Sequence, residues 1–130
     1  MIVVDASAVL AILFDEPEAE AFLSAIGAAG GGLISPVNLW EVLVRAASTE
    51  DAGARQDAED LLRKLNIEVA PVGGGQARRA ADAFQIFGRK TPAGLNLGDC
   101  FAYVLAAEQG EGLLYKGNGF PKTDVKSVLV

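Results

Sequence analysis

The most informative absence in this sequence is histidine, which occurs nowhere among the 130 residues. Without histidine there is no Ser-His triad, no imidazole for acid–base catalysis and no ordinary zinc site. Cysteine is nearly absent as well: Cys100 is alone, so no internal disulfide can form, which fits a reducing cytosol. Hydrolytic chemistry in this chain must therefore come from carboxylates, with a metal ion as their expected partner.

Long apolar runs and an excess of basic residues are also lacking. No apolar run reaches the roughly 18 residues that a membrane helix needs, and residues 1–5 lack the basic start of a signal peptide. We therefore expect a cytoplasmic protein without membrane contact. The net charge of −6 argues against a broad nucleic-acid surface of Lys and Arg. It leaves room for a local one and suits a basic protein partner.

The apolar residues that are present predict one α/β domain over residues 1–130. Short apolar runs predict strands at 2–4, 33–34, 67–69 and 113–115, with an edge strand at 125–129. Helices are predicted from a cap at Ser7 to Leu13, from Pro17 to Gly27, from Pro36 to Val44, over 54–65 and 77–87, and from a cap at Asn96 to Gly110. This alternation predicts a three-layer α/β/α sandwich with a central, mostly parallel sheet, whose ligands bind beyond the C-terminal ends of the strands.

Three acidic residues stand among apolar neighbours, unlike most of the 17 Asp and Glu residues. Asp5 follows the first strand, Glu41 lies inside an apolar helix segment, and Asp99 lies in the first turn of another apolar helix. Converging carboxylates repel one another and are costly to bury unpaired, and a divalent cation relieves both effects. Oxygen ligands select Mg²⁺ or Mn²⁺, and one or two such ions can hold a phosphodiester and activate water. The set predicts metal-dependent phosphodiester hydrolysis.

Each of these acids also has a purely structural interpretation. Asp5 would cap the following helix, and Glu41 would face solvent through a gap in the apolar stripe. Asp99 would bond back to the cap residue Asn96, three positions earlier. The joint pattern favours a shared site over three separate structural roles.

Four motifs together resemble the VapC-type toxins of the PIN-domain family, in order and spacing, over nearly the whole chain. They are Val-Val-Asp-Ala-Ser-Ala at 3–8, the Ser-Pro helix at 35–41, Leu-Asn-Leu-Gly-Asp-Cys-Phe-Ala at 95–102 and Leu-Leu-Tyr-Lys-Gly-Asn at 113–118. The resemblance implies a PIN fold and a Mg²⁺-dependent endoribonuclease, the toxin of a type II toxin–antitoxin pair. It implies homodimerisation and inhibition by a VapB-type antitoxin. Asp5 and Asp99 would bind the metal and Glu41 would be the third acid, with Ser7 in support unless Ser7 is only a helix cap.

The fourth motif departs from the family pattern. The family usually carries an acid after Lys-Gly-Asn, and this chain has Gly119 there. Asn118 offers a neutral carbonyl oxygen instead, and Asp124 is an acid that could reach the site from beyond the loop. Thr91 likewise stands where the family often has histidine. Losing one negative charge weakens metal binding, so the alternative function is a catalytically weakened PIN domain that binds RNA or a protein.

Four basic residues are candidates for contacts with RNA phosphates, with ordinary solvated surface as the alternative. They are Arg89, Lys90, Lys116 and Lys122. Together they would provide the local attraction that the net charge lacks.

The remaining conspicuous side chains receive structural interpretations. We expect Trp40 and Phe101 to pack in the core or in a dimer contact rather than to stack on bases, and Cys100 to be a small buried side chain. A haloacid-dehalogenase-type phosphatase needs a second acid where Ser7 stands. A phosphoacceptor receiver domain similarly needs paired acids after its first strand. Neither class fits this sequence.

Overall fold

The computed structural model describes residues 1–129 and is built on a parallel sheet of four strands. The strands are β1 (Ile2–Val4), β2 (Gly32–Ile34), β3 (Ile67–Val69) and β4 (Leu113–Leu114). The helices are α1 (Ala6–Leu13), α2 (Ala19–Ala29), α3 (Pro36–Ala47), α4 (Ala54–Lys64), α5 (Gly74–Phe87) and α6 (Leu97–Gln109), with a 3₁₀ turn over Phe120–Lys122. Across residues 1–129, no helix has the length and hydropathy needed to cross a membrane.

The strand order is β3-β2-β1-β4, and each neighbouring pair is parallel. Val3 in the central strand pairs with Leu33 on one side and Leu113 on the other. The chain first builds outward from β1 through β2 and β3, then returns to place β4 on the opposite side. In open parallel sheets, ligands bind beyond the carboxyl ends of the strands where the order reverses. Here that place follows β1 and β4.

The two faces of the sheet are covered by different helices. Ile2 and Val4 pack into a cluster with α1, α2, α3 and α4, whereas Val3 packs into a second cluster with α5 and α6. Successive side chains of a strand point to opposite faces, so β1 is buried on both sides, as its uninterrupted apolar run predicts. The predicted three-layer α/β/α sandwich is confirmed.

Three local predictions are wrong. Ser7 does not cap α1; the cap is Asp5, and Ser7 lies inside the helix. Pro17 and Gly27 are not the ends of α2, which begins at Ala19 and continues to Ala29. The helix stops at Gly30, whose φ of 75° is easily adopted by a residue without a side chain.

The third wrong prediction concerns the edge strand at 125–129. Within the described part of the chain this segment forms a single parallel bridge, between Ser127 and Leu113, instead of a strand. The Leu113 N–H donates to the Lys126 carbonyl at 2.8 Å and the Leu113 carbonyl accepts the Val128 N–H at 3.1 Å, so the outward backbone groups of this two-residue strand are paired at the bridge. Residues 125–129 are therefore attached to the sheet at one residue of β4 rather than along a ladder.

Candidate active site

The three acids selected from the sequence are brought to the same edge of the sheet. Asp5 directly follows β1, and α3 begins two residues after β2 ends, so Glu41 in its second turn stays near that edge. The helix α6 runs back toward the start of β4, which places its first turn, with Asp99, at this edge too. The charges of Asp99 and Glu41 both add to the rise in the pKa of Asp5, and the charge of Asp99 adds to that of Glu41, as expected of carboxylates that lie near one another.

Asp5 is at once a helix cap and a desolvated carboxylate. It is only 5% exposed, and its Oδ2 accepts hydrogen bonds from the Ser7 backbone N–H at 3.0 Å and the Ser7 hydroxyl at 2.5 Å. Burial raises the pKa of Asp5 to about 7, against the lowering effect of the Ser7 hydrogen bonds. The negative charges of Asp99 and Glu41 raise it further. With this pKa, the Asp5 carboxyl group changes between its protonated and charged forms near neutral pH.

Ser7 connects this carboxylate to the segment that follows β4. While its hydroxyl donates to Asp5, its oxygen accepts the Lys116 backbone N–H at 2.9 Å. The Lys116 side chain reaches in another direction, where its ammonium lies 3.0 Å from Glu16 and 3.2 Å from Glu18. Ser7 therefore has a supporting position at the site, though not the helix-capping one.

Glu41 faces α6 rather than open solvent. Its Oε1 accepts a hydrogen bond from Asn38 Nδ2 at 2.7 Å, and Asn38 Nδ2 also donates to the Gly98 carbonyl at 3.0 Å. A Cβ placed on Gly98 would lie 2.2 Å from Glu41 Oε1, so the carboxylate rests directly on the glycine. Burial raises the pKa of Glu41, the Asn38 hydrogen bond opposes the rise, and the Asp99 charge adds to it.

Asp99 combines the structural role with a position beside Glu41. Its Oδ2 accepts the Asn96 backbone N–H at 3.0 Å, while Asn96 Oδ1 accepts the Asp99 N–H at 2.9 Å. This reciprocal pair is a capping box at the start of α6. Burial raises the pKa of Asp99, and the hydrogen bond from Asn96 lowers it. The cap leaves the other carboxylate oxygen of Asp99 available.

The three carboxylates are ligands of the type that a hard divalent cation prefers, although they are not arranged at metal-binding distances from one another. Within residues 1–129, no three acidic or other metal-ligating side chains already stand at metal-binding spacing. All three carboxylates are nevertheless partly or fully desolvated and two of them are destabilised by a neighbouring charge. Oxygen ligands with this mutual repulsion are those that Mg²⁺ or Mn²⁺ would neutralise.

The residues around the fourth motif do not join this set. Asn118 is exposed in the loop after β4. Asp124 accepts a hydrogen bond from the Tyr103 hydroxyl. It also lines a groove with Gly110 and Gly112, which precede β4 and so lie toward the opposite edge of the sheet. The structure therefore does not bring Asp124 to the three acids.

Position 119 is closely packed rather than vacant. A Cβ on Gly119 would lie 2.8 Å from the Ala93 carbonyl oxygen and 3.3 Å from Leu95 Cδ2. The loop after β4 thus docks with its backbone against the loop that leads into α6. An acidic side chain at this position cannot be added without moving one of the two loops.

The four basic candidates differ in whether their side chains already form ion pairs within the chain. Lys116 is engaged by Glu16 and Glu18. Arg89, Lys90 and Lys122 are exposed and form no ion pair with the residues that the structure describes. Arg89 also lines an apolar groove of about 650 Å³ between α5 and α6, whose other walls include Leu97 near the start of α6.

The aromatic and thiol predictions have mixed outcomes. Trp40 is 64% exposed, so packing in the core of the chain is wrong for this residue, and the dimer contact, which was the other expectation, stays a prediction. Phe101 is half-buried against the cluster under α5 and α6. Cys100 is buried as expected, and burial raises the pKa of its thiol to about 11, which keeps the group protonated and unreactive.

Two residues that contribute to the site were not predicted from the sequence. Asn38 is completely buried, and Gly98 provides the surface against which Glu41 rests. A signal for Asn38 was available, because it lies three residues before Glu41 and therefore on the same face of the helix. Nothing in the sequence identified Gly98, because it contacts Glu41, which lies 57 positions earlier in the chain (98 − 41 = 57).

Comparisons with known proteins agree with this architecture. The PIN domain family model matches residues 2–126. Ribonuclease VapC28 of Mycobacterium tuberculosis is 39% identical over 129 residues, which cover 98% of this chain and 97% of that protein. Ribonuclease VapC30 of the same species is 37% identical, with 97% of each chain covered. Ribonuclease VapC of Mycolicibacterium smegmatis is 35% identical, over 97% of this chain and 98% of that protein.

Proposed function

The chain belongs to the PIN-domain family and, within it, to the VapC ribonucleases, and from this membership we propose that Asp5, Glu41 and Asp99 form its nuclease site. The protein is an endoribonuclease, a hydrolase that cleaves RNA phosphodiester bonds as the toxin of a toxin–antitoxin pair. The observation that carries the site assignment is the buried Asp5 carboxylate, whose pKa is raised by burial and by the charges of the other two acids.

The chain's own groups divide the work of the site. Asp5 and Asp99 bind the metal, and Glu41 completes the negative set from the side of α3. Ser7 orients Asp5 through its hydroxyl hydrogen bond, and the capping box holds the backbone of Asp99. Fixed carboxylates lose less conformational entropy on binding an ion, which favours a site built at helix starts.

The family's reaction depends on a metal, and we propose Mg²⁺ or Mn²⁺ as the ion because every candidate ligand is an oxygen. When bound, such an ion polarises the scissile phosphate and makes water a competent nucleophile. Arg89, Lys90 and Lys122 then attract the RNA backbone from the exposed rim. Lys116 contributes less, because Glu16 and Glu18 already neutralise it.

The partners follow from the same proposal. A VapB-type antitoxin would present a basic side chain to the three acids, where an Arg forms charge-assisted hydrogen bonds and displaces the ion. We also propose a homodimer in the cytoplasm. The net charge of −6 is compatible with a basic partner.

The deciding experiment is cleavage of total RNA by antitoxin-free protein with Mg²⁺, Mn²⁺ or EDTA, beside an Asp5→Asn variant. We expect discrete products that require the metal and disappear in the variant. Products that persist in EDTA, or in the variant, would remove the metal-dependent mechanism.

The packing at Gly119 favours one alternative, a catalytically weakened PIN domain that binds RNA or a protein. The contact with the Ala93 carbonyl leaves no space for the acid that the family usually has there. This alternative predicts that the natural protein retains labelled RNA on a filter without shortening it, in Mg²⁺ as in EDTA. Cleavage in Mg²⁺ alone would exclude it.

A further inference from the structure

The amide of Asn38 is placed where α3 and α6 approach each other, beside the proposed nuclease site. It is completely buried, and its Nδ2 lies 2.7 Å from Glu41 Oε1 and 3.0 Å from the Gly98 carbonyl oxygen. Both neighbours are acceptors only, so the NH₂ group, not the carbonyl oxygen, must face them. One donor group therefore connects the carboxylate on α3 to the backbone at the start of α6.

The other side of the same carboxylate is bounded by Gly98. A Cβ at this position would lie 2.2 Å from Glu41 Oε1 and 2.7 Å from Oε2. Any side chain at position 98 larger than the hydrogen atom of glycine would therefore displace the Glu41 carboxylate. Glu41 is thus confined between the Asn38 amide and the backbone of Gly98. Gly98 immediately precedes Asp99 in α6.

Stability alone does not explain a buried amide here. Asn38 Oδ1 has no hydrogen-bond partner among the described residues, and an unsatisfied buried acceptor destabilises the folded state. A leucine of similar size would avoid that cost. The Gly98 carbonyl would keep its ordinary helical partner four residues on, and Glu41, being only half-buried, would keep access to water.

We propose that Asn38 is a positioning residue: its amide holds the Glu41 carboxylate on Gly98 and so sets the distance between the acids contributed by α3 and α6. The inference rests on the proposed function, because it matters only if those acids share an ion. Without the amide, the three rotatable bonds of Glu41 are released, and the ordering must be supplied when the ion binds. Removing such an outer partner typically lowers metal affinity about 10- to 100-fold.

The test measures Mn²⁺ affinity of the RNA-free protein by electron paramagnetic resonance, together with melting temperature, for Asn38→Leu. We expect affinity to fall about 10- to 100-fold while the melting temperature is kept or raised. The matched control is Val42→Ala, which removes a buried side chain from the same helix. It should lower the melting temperature and leave affinity unchanged. Unchanged affinity in Asn38→Leu would overturn the proposal.

A double-mutant cycle with Glu41→Ala separates positioning from a merely structural effect. If Asn38 acts through Glu41, Asn38→Leu causes no further loss of affinity once the carboxylate is gone. An equal further loss in the Glu41→Ala background would contradict the proposal. Measuring Asp5→Asn in the same experiment distinguishes failure of the proposed metal site from failure of the Asn38 inference. If Asp5→Asn binds Mn²⁺ normally, the proposed metal site fails; if it alone loses Mn²⁺, only the Asn38 inference fails.

Gly98→Ala tests the same geometry from the opposite side and does not depend on the folding of the Asn38 variant. The new methyl group would displace the Glu41 carboxylate, while alanine favours a helix over glycine. We expect equal or higher melting temperature together with about 10-fold weaker Mn²⁺ binding. Normal Mn²⁺ binding by this variant would show that the position of Glu41 on Gly98 is not needed.

Discussion

At the scale of single residues, the site is governed by where each carboxylate loses water. Asp5 loses most, because it is both the residue after a fully buried strand and the cap of α1. Its hydrogen bonds from Ser7 favour the charged form but do not offset burial, which leaves the pKa of Asp5 at about 7. Asp5 therefore stabilises the start of α1 as its cap, but its charged form destabilises the folded protein when no cation is bound.

Asp5→Asn is expected to stabilise the metal-free protein at about pH 8 by roughly 1–3 kcal/mol. The pKa of Asp5 rises from 3.8 in the unfolded chain to about 7 in the folded one. The folded protein thus holds a proton that the unfolded chain has lost, and stability falls as pH rises between these values. Asparagine avoids the charge and caps helices as well as aspartate does.

Urea unfolding in EDTA at about pH 4 and about pH 8 measures this effect. The advantage of the variant should be present at the higher pH and be small at the lower one, which lies so close to the unfolded-state pKa of 3.8 that the difference in protonation between the two states has only begun to affect stability. A variant that is less stable than the natural protein at the higher pH would show that the ionised carboxylate is not the destabilising group.

At the scale of elements, the site depends on how two loops and two helices meet. The starts of α3 and α6 are joined by the Asn38 amide, and the loop after β4 is packed on the loop before α6 through Gly119 and Ala93. The Lys116 backbone N–H joins the same β4 loop to Ser7. Segments distant in the chain therefore brace each other around the three acids.

The Gly119 contact predicts that Gly119→Asp does not simply restore the family's usual acid. We expect a loss of about 1–3 kcal/mol of unfolding free energy, because the new side chain meets a backbone carbonyl. We also expect no gain in Mn²⁺ affinity. Both are read from urea unfolding and Mn²⁺ titration.

Asn118→Asp is the matched control, since it places an acid in the same loop on an exposed position. Its stability should stay within about 0.5 kcal/mol of the natural protein. If Gly119→Asp were equally stable and bound Mn²⁺ more tightly, position 119 would be an open ligand position after all.

At the scale of the whole molecule, charge is distributed unevenly. The net charge of −6 coexists with the exposed basic residues Arg89, Lys90 and Lys122, while the Lys116 ammonium is held by two glutamates. Phosphate binding by so few cations is local and weakly dependent on salt. Substrate choice must then come from the shape of the rim more than from general attraction.

Binding of fluorescently labelled single-stranded RNA to the Asp5→Asn variant should show this small footprint. Three available cations predict a slope of about −2 for log K against log salt concentration. Replacing Arg89 and Lys90 together by alanine should reduce the absolute value of the slope to below about 1. Circular dichroism should show that the fold of this variant is unchanged. A slope steeper than about −4 would require a larger basic surface, for example one completed by a second chain.

Much of this protein follows from the sequence alone. The apolar run before Asp5, the Ser35 and Asn96 caps and the alternation of short strands with helices determine most elements and the parallel sheet. These signals act within a few residues, so they survive without knowledge of the fold. The choice of three acids in apolar company has the same local basis, and the structure places them at one edge of the sheet.

Only the tertiary structure decided the contacts that cross the chain. Asn38 meets Gly98 from 60 residues away, and Gly119 meets Ala93 on another loop. Asp124 points to Tyr103 instead of the acids, and Trp40 is exposed although its neighbours are apolar. Each outcome depends on which surfaces the sheet order β3-β2-β1-β4 brings together. Packing of that kind is set by the path of the whole chain, and no local pattern encodes it.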